Sequence, residues 1–449
     1  MNIDVYISNI SEDVWDFIES LKAEERKFEI EENAYLSDRE ILTLDPQATS
    51  IIIFPEEIDP IFIEYYQKLF NNNSVTVLVP KLHSGQVCLD VRADQQLWDR
   101  LLELGKSNTL VLKSYSSSRQ FFDLVQALKD AGCQVVTPES PIAGAESSAN
   151  YFGSKSGIRE TASMLAKQSA ENDKWIADGV IVNSKEDAVE VATKFYLQFG
   201  GVVIKTNKAH SGAGVVIVQP DSIVGDVKNH FEYLFDQEEY WSKFPIIIEE
   251  FLVVDPSVGG GNPNCEYRID ESGKLKLLFV CGMRITPEGV FKGIEINNHI
   301  LSRGIQDRLA TYGEALGRVY TEAGYRGYFD VDCMYTQDKQ LLITESNVRK
   351  TGGTHVYHTG TILLGPEYCE EYYLLSNNTH PLPNNTTLNF QNLLNLLTPI
   401  LYSSEKKDGV ILASSNILKQ GKLSHIIVGK NNEAAYAYEA EMERLLQQG

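Results

Sequence analysis

A chain of 449 residues with 62 acidic and 40 basic side chains carries a formal charge of −22, which excludes a general nucleic-acid or anionic-membrane surface and confines any anionic ligand to a local basic pocket. That length exceeds one ordinary core and predicts two or three domains. The six cysteines form no C-x-x-C pair and no zinc spacing, and no leader or run of about 18 apolar residues is found, so a cytoplasmic protein with reduced thiols is expected.

In chain order, residues 1–145 alternate strand-like runs ("SIIIFP", "SVTVLVP", "TLVLKS", "CQVVTP") with the amphipathic "DPIFIEYYQKLFNN" and "SSRQFFDLVQALKDAG". This βαβ order predicts an α/β domain with a small parallel sheet. The boundary falls within "PESPIAGAESSAN", Pro138–Asn150, whose Pro, Gly and Ser content suits a linker. Residues 146–375 form the second unit. It opens with helices over "SKSGIRETASMLAKQ" and "SKEDAVEVATKFYLQFG", the latter capped by Ser184 and stopped by Gly200. A hairpin over Val202–Val218, the strands "FPIIIEEFLVV", "KLKLLFVCGMRIT" and "GVFKGIEIN", and a helix around "QDRLATYGEALGRVYTEAG" follow, an α+β pattern. "NNTHPLPNN", Asn377–Asn385, reads as a linker, and residues 376–449 read as a small C-terminal α+β extension.

Four features in this order carry chemistry. Lys155 stands at the start of a helix. Lys205 ends the first strand of a hairpin whose tip holds Ser211, Gly212, Ala213 and Gly214. Alone this is equally an ordinary hairpin; as a lid it would face phosphates with backbone N–H groups. With few apolar residues between Thr206 and Gly214, the tip is expected to lack an anchor. The run "IIIEEFL" places Glu249, Glu250, Phe251 and Leu252 at a strand end, where backbone groups and a carboxylate can meet an adenine edge. In "GYFDVDCMYTQDKQLLITESNVRKTGGTHVYH", Asp332 and Glu345 lie on paired strands with Asn347 on the same face. That all-oxygen set suits Mg²⁺. Asp330 shares the face, Arg349 follows on the same parity, and "KTGGTH", with Gly353, Thr354 and His355, offers a turn where a second substrate approaches. No G-x-S-x-G, H-E-x-x-H or G-x-G-x-x-G motif competes.

Taken together, Lys155, Lys205 with its glycine tip, Glu249–Leu252, Asp332, Glu345 and Asn347 resemble the ATP-grasp superfamily over Tyr151–His358. The resemblance implies ATP held between two α+β subdomains, lysines on the phosphates, the strand-end acid and backbone on adenine, and Mg²⁺ on Asp332, Glu345 and Asn347. "ESNVRKTGGTH", with a βαβ domain before it and an α+β tail after it, is similar to the pheganomycin-type peptide ligases with a pre-ATP-grasp domain. It also resembles ligases that load an amino acid onto a carrier protein. One position departs from the pattern. D-alanine ligase relatives carry arginine where Asp330 stands, so the oxyanion role passes to Arg349, Arg284 or Arg268.

The implied activity is an ADP-forming carboxylate–amine ligase that makes a peptide or amide bond through an acyl phosphate, in natural-product or antibiotic biosynthesis. Its partners would be a carboxylic or amino acid and an amine, or in the close alternative a carrier-protein thiol. A non-catalytic ATP-binding regulator is the reading from another class. A homodimer is left open by the sequence.

Overall fold

The computed structural model describes all residues except 170–173, 210–213, 288, 384–387 and 449. Strands β1 (Asn2–Ile7), β2 (Ser50–Ile53), β3 (Val75–Leu78), β4 (Thr109–Ser114) and β5 (Gln134–Val136) form a parallel sheet in the order β3-β2-β1-β4-β5. Its central strand was not among the predicted ones. Asp4 interrupts the apolar run of β1, and the structure neutralises it with Lys113 of β4 at 2.6 Å. The flanking helices start as their sequences dictate. Pro60–Phe70 has Asp59 accepting from the Ile61 N–H, and Arg119–Asp130 has Ser118 accepting from the Phe121 N–H, each satisfying a donor that the first turn leaves free.

A second, antiparallel sheet comprises β6 (Gly179–Val182), β7 (Val202–Thr206), β8 (Val215–Val218) and β9 (Ile246–Glu250), ordered β6-β9-β7-β8. Helix Lys185–Phe199 covers it, with Ser184 capping its start and Gly200 in the left-handed conformation at φ +77° ending it. Only a residue without Cβ takes that geometry freely.

The largest sheet has eight strands: β10 (Pro263–Ile269), β11 (Leu275–Ile285), β12 (Phe291–Ile296), β13 (Gly327–Tyr335), β14 (Leu341–Glu345), β15 (Tyr373–Pro381), β16 (Gly409–Leu412) and β17 (Lys422–Gly429). Their order is β14-β13-β10-β11-β12-β15-β17-β16, and the paired strands run antiparallel. Helix Arg303–Glu322 buries Leu309, Tyr312, Leu316 and Tyr320 in the core beneath this sheet, which also takes Cys265, Tyr267 and Ile269 from β10. The expected linker at Asn377–Asn385 is corrected here. Residues through Pro381 belong to β15, with Asn377 opposite His425 of β17, and the remainder includes residues outside those described. The segment is polar for a reason other than linker flexibility. Asn378, 3% exposed, donates to the Gly352 carbonyl at 3.0 Å and lines a cavity. No helix among the described residues is long and apolar enough to cross a membrane.

Candidate active site

Asp332 and Glu345 stand directly opposite each other on β13 and β14, at a bulge. The Asp332 carboxylate accepts from Asn264 Nδ2 at 2.6 Å and from Asn347 Nδ2 at 3.1 Å. Asn347 also donates from its backbone to Asp330 Oδ1 at 2.7 Å, and its Oδ1 accepts from Arg349 Nη2 at 2.9 Å. Burial pushes the Asp332 carboxyl well above the ordinary carboxylate range, and the charges of Asp330 and Glu345 push it further. Burial likewise raises Asp330, to about 7. Crowded, buried oxygen ligands of like charge are the setting in which a divalent cation is most welcome, so the residues fit Mg²⁺. No group of three or more His, Cys, Asp or Glu able to hold a metal is found among the described residues. The protein's share would be two carboxylates and a carboxamide, as suits an ion that keeps water and phosphate oxygens.

Lys155 opens helix Lys155–Gln168, whose cap Ser154 accepts from the Gly157 N–H. Its Nζ lies 2.8 Å from Glu345 Oε1. Burial alone would raise Glu345, but Lys155 holds it below its usual value. The Lys155 backbone N–H donates to the Asn207 carbonyl at 2.8 Å, which ties the helix start to the end of β7. Lys205, one strand pair away, sits 2.7 Å from Glu249 Oε2, while Arg159 Nη2 reaches Glu249 Oε1 at 2.6 Å. Arg159 was missed in the sequence, although it lies one helical turn beyond Lys155 and so on its face. Glu250 accepts from the Asp178 N–H at 2.7 Å and pairs with Lys174. Both acids are therefore engaged with protein cations. Phe251 and Leu252 follow, half-buried.

Of the hairpin tip, Ser211, Gly212 and Ala213 lie outside the described residues. Gly214 adopts φ +64°, and a Cβ there would come within 2.3 Å of Thr206 Cγ2, so no other residue fits. The segment leading into the tip, Lys208 and Ala209, is held by the N-terminal domain, which the sequence did not suggest. Ala209 is buried among Val14, Phe17, Ile18 and Leu21, and Lys208 Nζ meets Asp13 Oδ1 at 3.2 Å. The same carboxylate takes Arg349 Nε at 2.8 Å through Oδ2. Burial alone would raise Asp13, yet Lys208 and Arg349 hold it down at about 2, against an ordinary 3.8. Because the folded value lies below the unfolded one, its contribution is present above pH ~4 and lost as pH falls toward ~2, roughly 2 kcal/mol in all. Asp13→Asn should cost that much in urea unfolding at pH 7 and far less at pH 2. An equal cost at both values would show that the ion pairs carry no stability.

The three arginines separate. Arg349 lines a cavity of about 390 Å³ together with Asp332, Glu345 and Asn347, and stacks over the Tyr115 ring at 5.5 Å. Arg284 instead forms a two-pronged pair with Glu439 of the C-terminal helix, at 2.7 and 3.1 Å. Arg268 pairs with Glu139 at 3.1 Å. Neither lines the cavity. Gly353 does, with Thr351 and Gly352. Thr354 is buried and donates to Glu266 Oε1 at 2.8 Å. His355 is fully buried, burial lowers its pKa well below the usual value, and neither ring nitrogen has a hydrogen-bond partner among the described residues. It stands behind the turn rather than in the cavity. Asn264 and Glu266 of β10 went unnoticed in the sequence. The signal was the alternation in "PNCEYRI", which puts apolar side chains into the core and Asn264 and Glu266 on the opposite face.

No family model and no curated protein matches this sequence. The architecture, a parallel-sheet domain followed by a four-stranded and an eight-stranded antiparallel sheet, is that of the ATP-grasp fold. Among solved structures the chain is similar to the purK N5-carboxyaminoimidazole ribonucleotide synthetase in complex with ADP (TM-score 0.54, 11% identity, 100% of this chain and 97% of that one). It is also similar to the N5-carboxyaminoimidazole synthase of Aspergillus clavatus in complex with ADP and 5-aminoimidazole ribonucleotide (0.53, 10%, 99% and 98%). Biotin carboxylase from Campylobacter jejuni, as its ATP-analogue complex, aligns with a TM-score of 0.58 at 11% identity over 97% of this chain and 89% of that one.

Proposed function

We propose that this protein is an ADP-forming ligase that activates a carboxylate with ATP and transfers the acyl group to an amine. The observation that carries the reading is the convergence of Asp332, Glu345, Asn347 and Arg349 on one cavity, with Lys155 paired to Glu345 beside it. Asp332, Glu345 and Asn347 would hold Mg²⁺, which when bound neutralises the β- and γ-phosphates of ATP. Lys155 and Lys205 add positive charge at the same end, and Glu345 and Glu249 fix the two ammonium groups in place. Arg349, held by Asp13, would bind the substrate carboxylate and the oxyanion that develops from it. Closure of the hairpin over the site would keep water from the acyl phosphate. Arg284 and Arg268 take no part, because each is committed to a distant carboxylate. The finer assignment, a pheganomycin-type peptide ligase working in the cytoplasm on natural products, rests on the "ESNVRKTGGTH" stretch, whose turn residues Thr351, Gly352 and Gly353 line the cavity.

The concentration of charge at the γ end fixes the expected products. Incubation with Mg-ATP, hydroxylamine and pools of amino acids, short peptides and other carboxylic acids should yield ADP, phosphate and a hydroxamate. AMP and pyrophosphate would refute γ-transfer, and silence across every pool would refute the ligase reading. Replacing hydroxylamine by amines or by carrier proteins then separates amide formation from thiol loading.

A further inference from the structure

The same cavity is lined by further charged groups from segments distant in sequence from the metal carboxylates. Four cations line it. Two are matched by protein carboxylates: Arg349 by Asp13 and Lys422 by Glu32. Of the other two, Arg39 has only the longer pair with buried Glu40, and Lys292 has no carboxylate partner among the described residues. Arg39, in the short helix Ser37–Thr43, is 4% exposed, yet no hydrogen bond joins its guanidinium to another described residue. Glu40 approaches its Nε only to 3.6 Å and itself accepts from the Tyr6 hydroxyl. Among the described residues, Lys292 of β12 reaches only the hydroxyl of Thr379, at 3.2 Å. A buried guanidinium with open donors is costly, and proteins keep one where an anion fills it.

A complementary group stands in the same cavity. Asn378 uses its amide N–H groups on Gly352 and leaves its buried carbonyl oxygen without a donor. The wall between is apolar: Phe279, Met283, Phe291 and Ile294. The acidic neighbours do not cancel the cations. Glu32 is neutralised by Lys422, and burial, with the Glu32 charge next, pushes the Glu29 carboxyl up to about 7.

We propose that Arg39, assisted by Lys292, binds the free carboxylate of an α-amino acid or short peptide that serves as the amine substrate, with Asn378 accepting from its N–H. This rests on the ligase reading above and names the acceptor class. The N-terminal domain would then be the acceptor reader, delivering an amine toward Glu345 and Arg349. Fork-shaped guanidinium donors match a carboxylate and not a carboxamide.

The test is thermal unfolding with Mg²⁺ and a non-hydrolysable ATP analogue, to which pools of L-amino acids and dipeptides, or the corresponding carboxamides, are added. The wild type should be stabilised by the free acids and not by the carboxamides. Calorimetry on the active member should give an affinity at least about tenfold weaker for Arg39→Gln, with Arg39→Lys between the two. A retained nucleotide-induced shift shows that the Arg39→Gln variant is folded. Equal stabilisation by acids and amides, no stabilisation by either pool, or undiminished affinity in Arg39→Gln overturns the proposal. Hydroxamate formation by the wild type, measured separately, reports on the ligase reading alone, so the two can fail independently.

Discussion

Asp332→Asn and Glu345→Gln should each slow ADP release by at least about a hundredfold, the scale of removing one preorganised charge from a transition-state site. Their effects on stability should differ in sign. Asp332 is crowded by Asp330 and Glu345, and burial already disfavours its charge, so an uncharged isostere relieves repulsion and should leave the fold as stable or more so. Glu345 is the partner of Lys155, whose side chain is 6% exposed, so its amide leaves a buried ammonium short of an anion and should lower stability. Steady-state ADP release together with urea unfolding of both variants checks this. Near wild-type turnover in either variant would remove it from the proposed metal set, and a destabilised Asp332→Asn would contradict the electrostatic account of the site.

The largest loss of stability is expected at Glu249→Ala. One carboxylate there joins Lys205 at 2.7 Å and Arg159 at 2.6 Å, with side-chain exposures of 7, 10 and 8% respectively. Truncation leaves two buried cations facing each other, at a cost on the order of 3–5 kcal/mol. Burial alone would raise Glu249, but Lys205 and Arg159 hold it below its ordinary value. The stabilisation is thus present above the unfolded pKa and lost as pH falls through the folded one. Replacing Arg159 and Glu249 together by Met and Leu should recover only part of the loss, because Lys205 keeps its charge without its carboxylate, and adding Lys205→Met should recover more. A single truncation costing under about 1 kcal/mol would show that water or a rearranged partner already screens the pair.

What was legible in the sequence was whatever spacing alone could encode. Asp332 and Glu345 were readable because "TQDKQ" is a turn and two strands joined by it must place those positions side by side. Lys155 and Lys205 were readable from their places at a helix start and a strand end. Partnerships between residues far apart were not. Asp13 is 336 positions from Arg349, and Arg284 looked as suitable as Arg349 until Glu439, 155 positions on, was seen to hold it. Arg39 had no motif around it. Asn377–Pro381 was misread because polar side chains meet solvent in a linker but bond to neighbouring protein groups in a strand lining a cavity, and local sequence does not distinguish the two. The first strand was missed for the same reason, since Asp4 reads as surface until Lys113 stands beside it.

The continuity of the largest sheet bears on how such a chain can be recombined. β15 runs from Tyr373 to Pro381, pairing with β12 through Leu374 and Leu375 and with β17 from Tyr373 onward. A crossover placed near residue 375, where composition suggests a seam, would cut through a strand and bare the backbone edge of β12 beside buried Ile294 and Ile296, a template for aggregation. Exchange of C-terminal segments between relatives is therefore barred at that point. The strands that carry Asp332 and Glu345 and the strands of the tail belong to one sheet and would have to be exchanged together.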